Sequence, residues 1–172
     1  MKIIANFLVM GVLLGLVSLG VCQAKEEKVS EINPQVAASR DDALALARSY
    51  VQAQRQAVVT MNLQMTPEEA AAFWPVYGEY QAKLELLRDR MVKLIRQFAD
   101  KFDTLTDDDA ESMLEELLAI QEDEQKVKRE FMPKFQKVLP IKKVARFYQI
   151  DNKINAEIRY GLSLEIPLLV AE

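Results

Sequence analysis

Between residues 73 and 98 an apolar residue recurs at alternating steps of four and three: Phe73, Tyr77, Tyr80, Leu84, Leu87, Met91, Leu94 and Phe98. This is the seven-residue period of a helix that buries one stripe against a partner helix. Thr66-Pro67-Glu68-Glu69 supplies its start. Threonine accepts from the free amides, proline is preformed for the first helical position, and Glu69 closes a capping box. The spacing predicts one helix from Pro67 to about Phe102, about 54 Å long at 1.5 Å per residue. Pro75 lies in its first three turns and is a place for a kink.

A second seam answers the first. Asp103 to Leu105 reads as a turn, and Thr106-Asp107-Asp108-Asp109 caps the next helix with acids at its positive end. Met113, Leu117, Ile120, Val127, Phe131, Phe135 and Val138 then follow at helical steps, with Glu124 the one polar interruption. Pro133 should bend its last turns. Leu139-Pro140 marks another turn, and Val144, Phe147, Tyr148, Ile154 and Ile158 define a helix ending near Gly161. Upstream, from Asp41, Leu44, Ala47, Val51, Val58 and Met61 form a stripe with Gln54 in its gap, and Arg48, Gln52 and Arg55 lie off it. Strand signals are nearly absent. The expected fold is all-α, a four-helix cradle or bundle around a long antiparallel central hairpin.

The ends bear on compartment. Lys2, the apolar run Ile3–Val21 and the small residue Ala24 before Lys25-Glu26-Glu27-Lys28 are the parts of a secretory signal peptide, predicting cleavage after Ala24. Gly11, Gly15 and Gly20 weaken the alternative of a retained anchor. Bulky Val21 before Cys22 argues against a lipidated cysteine. The expected organisation is a signal peptide over 1–24, a flexible polar linker over 25–40, a helical domain over 41–161 and an apolar tail over 162–172. The tail either packs back on the bundle or serves a partner.

Removing Lys2 with the leader takes the net charge from −4 to −5. That favours solubility without naming a partner. The chain contains no histidine, and its single cysteine precedes the cleavage point. The commonest general base and metal ligand are therefore missing, and triads built on histidine or cysteine are excluded. No catalytic residue, cofactor, metal site or small-molecule substrate is expected. A calcium loop is a poor fit, since Leu105 stands where an oxygen is required and no glycine follows. Methionines on the seams read as core fillers rather than copper ligands. An exported acidic chain is a poor candidate for nucleic acid.

Charge is segregated along the chain. Ten acids and no base lie between Asp103 and Glu124, and eight bases and one acid between Lys126 and Arg146. The acids complement a helix start, or else form a pole for cations. From the basic block, Lys126, Arg129, Lys134, Lys137, Lys142 and Arg146 form a candidate rim for binding other proteins.

Met65-Thr66-Pro67-Glu68-Glu69 and Leu139-Pro140-Ile141-Lys142-Lys143 together resemble the paired motifs of the LTxxQ periplasmic proteins, the Spy/CpxP family. The likeness spans about residues 45–160. Met65, Glu69, Pro140 and Lys143 depart from the family pattern, while Thr66 and Leu139 keep it. The resemblance implies a dimeric helical cradle acting in envelope stress, either as a holdase-type chaperone for unfolded clients or as a regulatory adaptor. The adaptor would dock on the periplasmic domain of a sensor kinase or anti-sigma protein. Metal responsiveness, which leans on histidine in that family, does not carry over. Antiparallel pairing of the central helices would set Glu69 and Lys143, both standing where the family has glutamine, at one end of the molecule.

Overall fold

The structure is a computed structural model that describes residues 34–169, with side chains from residue 45 onward except at residue 47. The expected signal peptide, the first part of the linker and the last three residues of the tail lie outside the described residues. Among the described residues four helices follow in order: α1 Pro34–Leu63, α2 Pro67–Lys101, α3 Asp107–Gln136 and α4 Ile141–Glu165. The described chain contains no strand. The fold is an all-α helical bundle.

Local chemistry sets the starts of α2 and α3. Thr66 accepts from the Glu69 amide, and the Glu69 carboxylate accepts in return from the Thr66 amide at 2.8 Å. Thr106 and Asp109 repeat the same capping box at α3. The two helices form an antiparallel hairpin, since residues paired across it run in opposite senses: Lys83 with Glu130, Arg90 with Asp123, Lys101 with Asp109. The other pair, α1 and α4, is also antiparallel, with Arg146 donating to the Asn62 carbonyl and Arg55 to Asn155.

Both seams point inward. Phe73, Tyr77, Tyr80, Leu84, Leu87 and Leu94 are buried on α2, and Ile120, Phe131 and Phe135 on α3. Burying a side chain of this size favours folding by about 1.5–3 kcal/mol, so these stripes dominate the stability. The packing is densest at the end where α2 begins and α3 finishes. There Phe73, Tyr77, Tyr80, Phe131, Phe135, Phe147 and Tyr148 form one aromatic cluster, with Phe135 and Phe147 centroids only 4.7 Å apart. Toward the hairpin turn the seam opens, and Met91, Phe98, Met113 and Leu117 are half-buried. Glu124, the polar gap in the α3 seam, is ion-paired with Arg159.

Three expectations are corrected. Helix α1 starts at Pro34 rather than Asp41, so residues 34–40, expected as linker, are helical. Its buried face is Arg55, Val59 and Leu63, at steps of four, whereas Val58 and Met61 of the expected stripe are exposed. The cause lies on other helices, whose polar groups complement Arg55. Finally, α4 runs through Gly161 to Glu165, so residues 162–165 of the expected tail are helical, and Ile158 is exposed rather than core. A helical glycine costs only about 1 kcal/mol relative to alanine, too little to end a helix by itself.

Inside the bundle lies a polar layer. Arg55 and Asp151 are both buried, with Nη1 3.6 Å from Oδ1. The Tyr80 hydroxyl donates to Oδ2 of Asp151 at 3.0 Å, as does the Asn155 amide at 3.1 Å, and Arg55 Nη2 donates to Asn155 at 2.7 Å. Burial and the adjacent carboxylate hold the Tyr80 hydroxyl far above its ordinary pKa, which keeps it a donor. Burial, aided by nearby Arg88, pulls the Arg55 guanidinium down.

Candidate functional site

The two motif segments meet at the aromatic end of the bundle. Lys143 Nζ lies 2.5 Å from Oε2 of Glu69 and donates to the Gln64 carbonyl at 3.1 Å. Gln64 ends α1 with a φ of 50°, in the left-handed region a non-glycine residue seldom enters. Lys143 therefore bonds both to the left-handed residue and to the capping glutamate of α2. The hydrogen bond from Lys143, reinforced by the Thr66 amide, holds the Glu69 carboxyl below its usual range. Leu139 is buried in the core and Met65 is packed against it. Pro140 sits at the N-cap of α4 and makes no side-chain cap.

The basic block is divided by its partners. Lys126 is held by Glu122 at 3.0 Å and Asp123 at 3.2 Å. Lys134 lies 4.0 Å from the centroid of the Phe131 ring and 3.4 Å from Glu79. Arg146 donates to the Asn62 carbonyl at 2.6 Å. Arg129, Lys137 and Lys142 are exposed and, among the described residues, have no ion pair or side-chain hydrogen bond. Lys142, Lys143 and Arg146 line a shallow groove of about 430 Å³ with Gln64 and Gln149. Half of the six expected rim residues thus have their charge or donors satisfied within the fold. For Lys126 the acids are neighbours on its own helix, but the sequence does not show the Glu79 and Asn62 oxygens that tertiary packing sets beside Lys134 and Arg146.

Large apolar side chains remain exposed close to the unpaired cations. Met132, 46% exposed, is one helical turn from Arg129, and Ile141, 59% exposed, adjoins Lys142. Further along the bundle Leu86, Leu114, Leu118, Tyr160 and Leu164 are also exposed.

Four acids of the acidic block, Asp109, Glu116, Asp123 and Glu124, are paired with bases of other helices. Arg90 grips Glu116 through two bonds of 2.9 and 3.0 Å and reaches Asp123 at 2.7 Å. These hydrogen bonds hold both carboxyls below their usual range. Asp109 is lowered likewise, first by Lys101 and then by Thr106. Among the described residues no group of three or more His, Cys, Asp or Glu side chains is placed to hold a metal ion. No described helix is long and apolar enough to cross a membrane.

The buried polar groups that sequence reasoning missed are Arg55, Asp151 and Gln81. Only their burial marks them. Comparison with protein-family models, with curated proteins and with solved structures finds no match of any of the three kinds.

Proposed function

We propose that this protein is a non-enzymatic, exported holdase: a periplasmic envelope-stress chaperone that shields unfolded clients and works as a homodimer. The observation that carries the reading is the pairing of exposed apolar side chains with cations that lack a partner among the described residues, Met132 beside Arg129 and Ile141 beside Lys142. An unfolded envelope protein presents both apolar and acidic surface. Unpaired cations raise the encounter rate, and apolar contacts lengthen the stay. The meeting of the two motif segments at one end, through Glu69 and Lys143, supports the likeness to the LTxxQ proteins.

Unpaired cations are the ones to reverse. Light scattering of a denatured acidic client should fall on adding equimolar protein, and fall less as salt rises, because exposed charges are screened within about 8 Å at physiological ionic strength. The triple variant Arg129→Glu, Lys137→Glu, Lys142→Glu should suppress aggregation less than the parent while keeping its helicity. A parent that never suppresses aggregation overturns the holdase reading and leaves the adaptor, which should bind one partner and no unfolded clients.

A further inference from the structure

Helix α1 joins the bundle through few apolar contacts. Among its described side chains Val59 and Leu63 are the buried apolar ones, whereas α2 buries Phe73, Tyr77, Tyr80, Leu84, Leu87 and Leu94. Leu46 and Tyr50, toward its start, are exposed. The stretch between is tied to α2 by polar groups near the surface, Arg48 to Asp89 at 2.7 Å and the Gln52 amide to Glu85 at 3.2 Å. Solvated pairs of this kind add little. Beside them a trough of about 800 Å³ separates the two helices. To its walls α1 contributes Gln52, Ala53, Gln56, Ala57 and Thr60, none of them a large apolar side chain.

The charge that α1 buries is incompletely bonded. Arg55 is 4% exposed, yet its Nε and Nη1 make no hydrogen bond among the described residues. Burial, and then the like charge of Arg88, disfavours the guanidinium cation. Unmade donors in a dry site are costly, and contact with water removes that cost. The remaining members of the polar layer do not depend on α1. Asp151 accepts from the Tyr80 hydroxyl at 3.0 Å and from the Asn155 amide at 3.1 Å, groups carried by α2 and α4. Departure of α1 therefore hydrates Arg55 and leaves the carboxylate bonded. The other end of α1 is pinned: Lys143 bonds the Gln64 carbonyl at 3.1 Å and Arg146 the Asn62 carbonyl at 2.6 Å.

We propose that α1 is a hinged cover, which swings off the other three helices as one unit about the link at Gln64 and bares the Trp74 and Tyr77 rings that border it. Those rings pack edge to face at 5.3 Å, and Tyr77 also touches the rings of Phe73 and Phe147. Opening of such a unit is a sub-global event, rarer than fraying of a helix end and commoner than unfolding of the bundle. An apolar client segment would be held on the bared rings. That client role rests on the holdase reading, and the hinge does not.

Hydrogen exchange of the full purified protein, resolved to single amides by NMR, measures the hinge without any client. The Val59 and Leu63 amides should share one protection, about a hundredfold below that of Tyr80 and Leu84 on α2. Val59 and Leu63 amides as protected as those of Tyr80 and Leu84 overturn the proposal. The triple variant Arg55→Met, Tyr80→Phe, Asp151→Leu removes the unmade donors with their partners. It should slow exchange at Val59 and Leu63 about tenfold relative to α3, with unchanged helicity. An unchanged ratio overturns the proposal as well. In light scattering of a denatured client, the same variant should suppress aggregation about threefold less than the parent, because its cover opens less often. Suppression equal to the parent's overturns the client role alone. A parent that suppresses nothing removes the holdase reading, and the exchange result still decides the hinge.

Discussion

Replacing Asp151 by alanine should be among the most damaging single changes in the protein. Asp151 is 2% exposed and Arg55 4%. Without the carboxylate, the guanidinium keeps one bond to Asn155 and loses the only opposite charge within ion-pair distance among the described residues. The Tyr80 hydroxyl and the Asn155 amide lose their acceptor at the same time. Breaking a buried pair by removing one member costs about 3–5 kcal/mol, because the other charge stays uncompensated. A domain of this size is stable by about 5–15 kcal/mol, so a large share would be lost. With a urea slope of about 2 kcal/mol per molar, a loss of 3 kcal/mol moves the unfolding midpoint down by about 1.5 M. Urea titration followed by circular dichroism at 222 nm measures it. The apolar triple variant Arg55→Met, Tyr80→Phe, Asp151→Leu removes charge, donor and acceptor together. It should unfold within about 1 kcal/mol of the parent or above it, as buried pairs replaced by packed apolar groups commonly do. An Asp151→Ala midpoint equal to the parent's would refute the reasoning, since Arg55 would then have access to water.

The rotated face of α1 gives a paired comparison: Val59→Asp, at a site 1% exposed, should cost about 3 kcal/mol or more, while Met61→Asp, at one 78% exposed, should stay within about 0.5 kcal/mol. Equal midpoints for the two in urea would return the core to the Val58–Met61 stripe. Stability should be flat between pH 6 and 8, since the chain has no histidine, and should fall under acid. Glu69, Asp109, Glu116, Asp123 and Glu130 are held below their ordinary values chiefly by hydrogen bonds from Lys143, Lys101, Arg90 and Lys83. Their contribution is thus complete above the unfolded carboxyl range of about 4 and is lost as pH drops through the lower folded values. A step in the urea midpoint between pH 6 and 7.5 would contradict this. Gly161→Ala, in an exposed stretch of α4 with nothing within 4 Å of the added Cβ, should raise thermal stability by about 0.5–1 kcal/mol; a lower melting temperature would show that the backbone there is not helical.

Much of the hairpin was legible in the sequence because its determinants are local. Thr66 and Thr106 cap amides three residues away, and the steps of four and three from Phe73 to Phe98 describe a face that any partner helix would have to cover. The lack of histidine, likewise, needed no structure to remove whole classes of chemistry. What sequence could not supply involves groups far apart along the chain. The stripe through Val58 and Met61 is more apolar than the one through Arg55, Val59 and Leu63, so periodicity favoured the wrong face. Asp151 and Asn155, the latter 100 positions from Arg55, reverse that preference by giving the guanidinium an opposite charge and an acceptor inside the core. The same holds for the basic block: Lys134 meets Glu79 and Arg146 the Asn62 carbonyl only when the helices pack, while Lys137 and Lys142 have no ion pair among the described residues. Gln64 enters the left-handed region beside a lysine 79 residues later, and Gln81 becomes a buried donor where α2 lies beside α1. Period and caps determined which segments are helices, because those forces act within one or two turns; packing alone decided which face, which charge and which donor each helix presents.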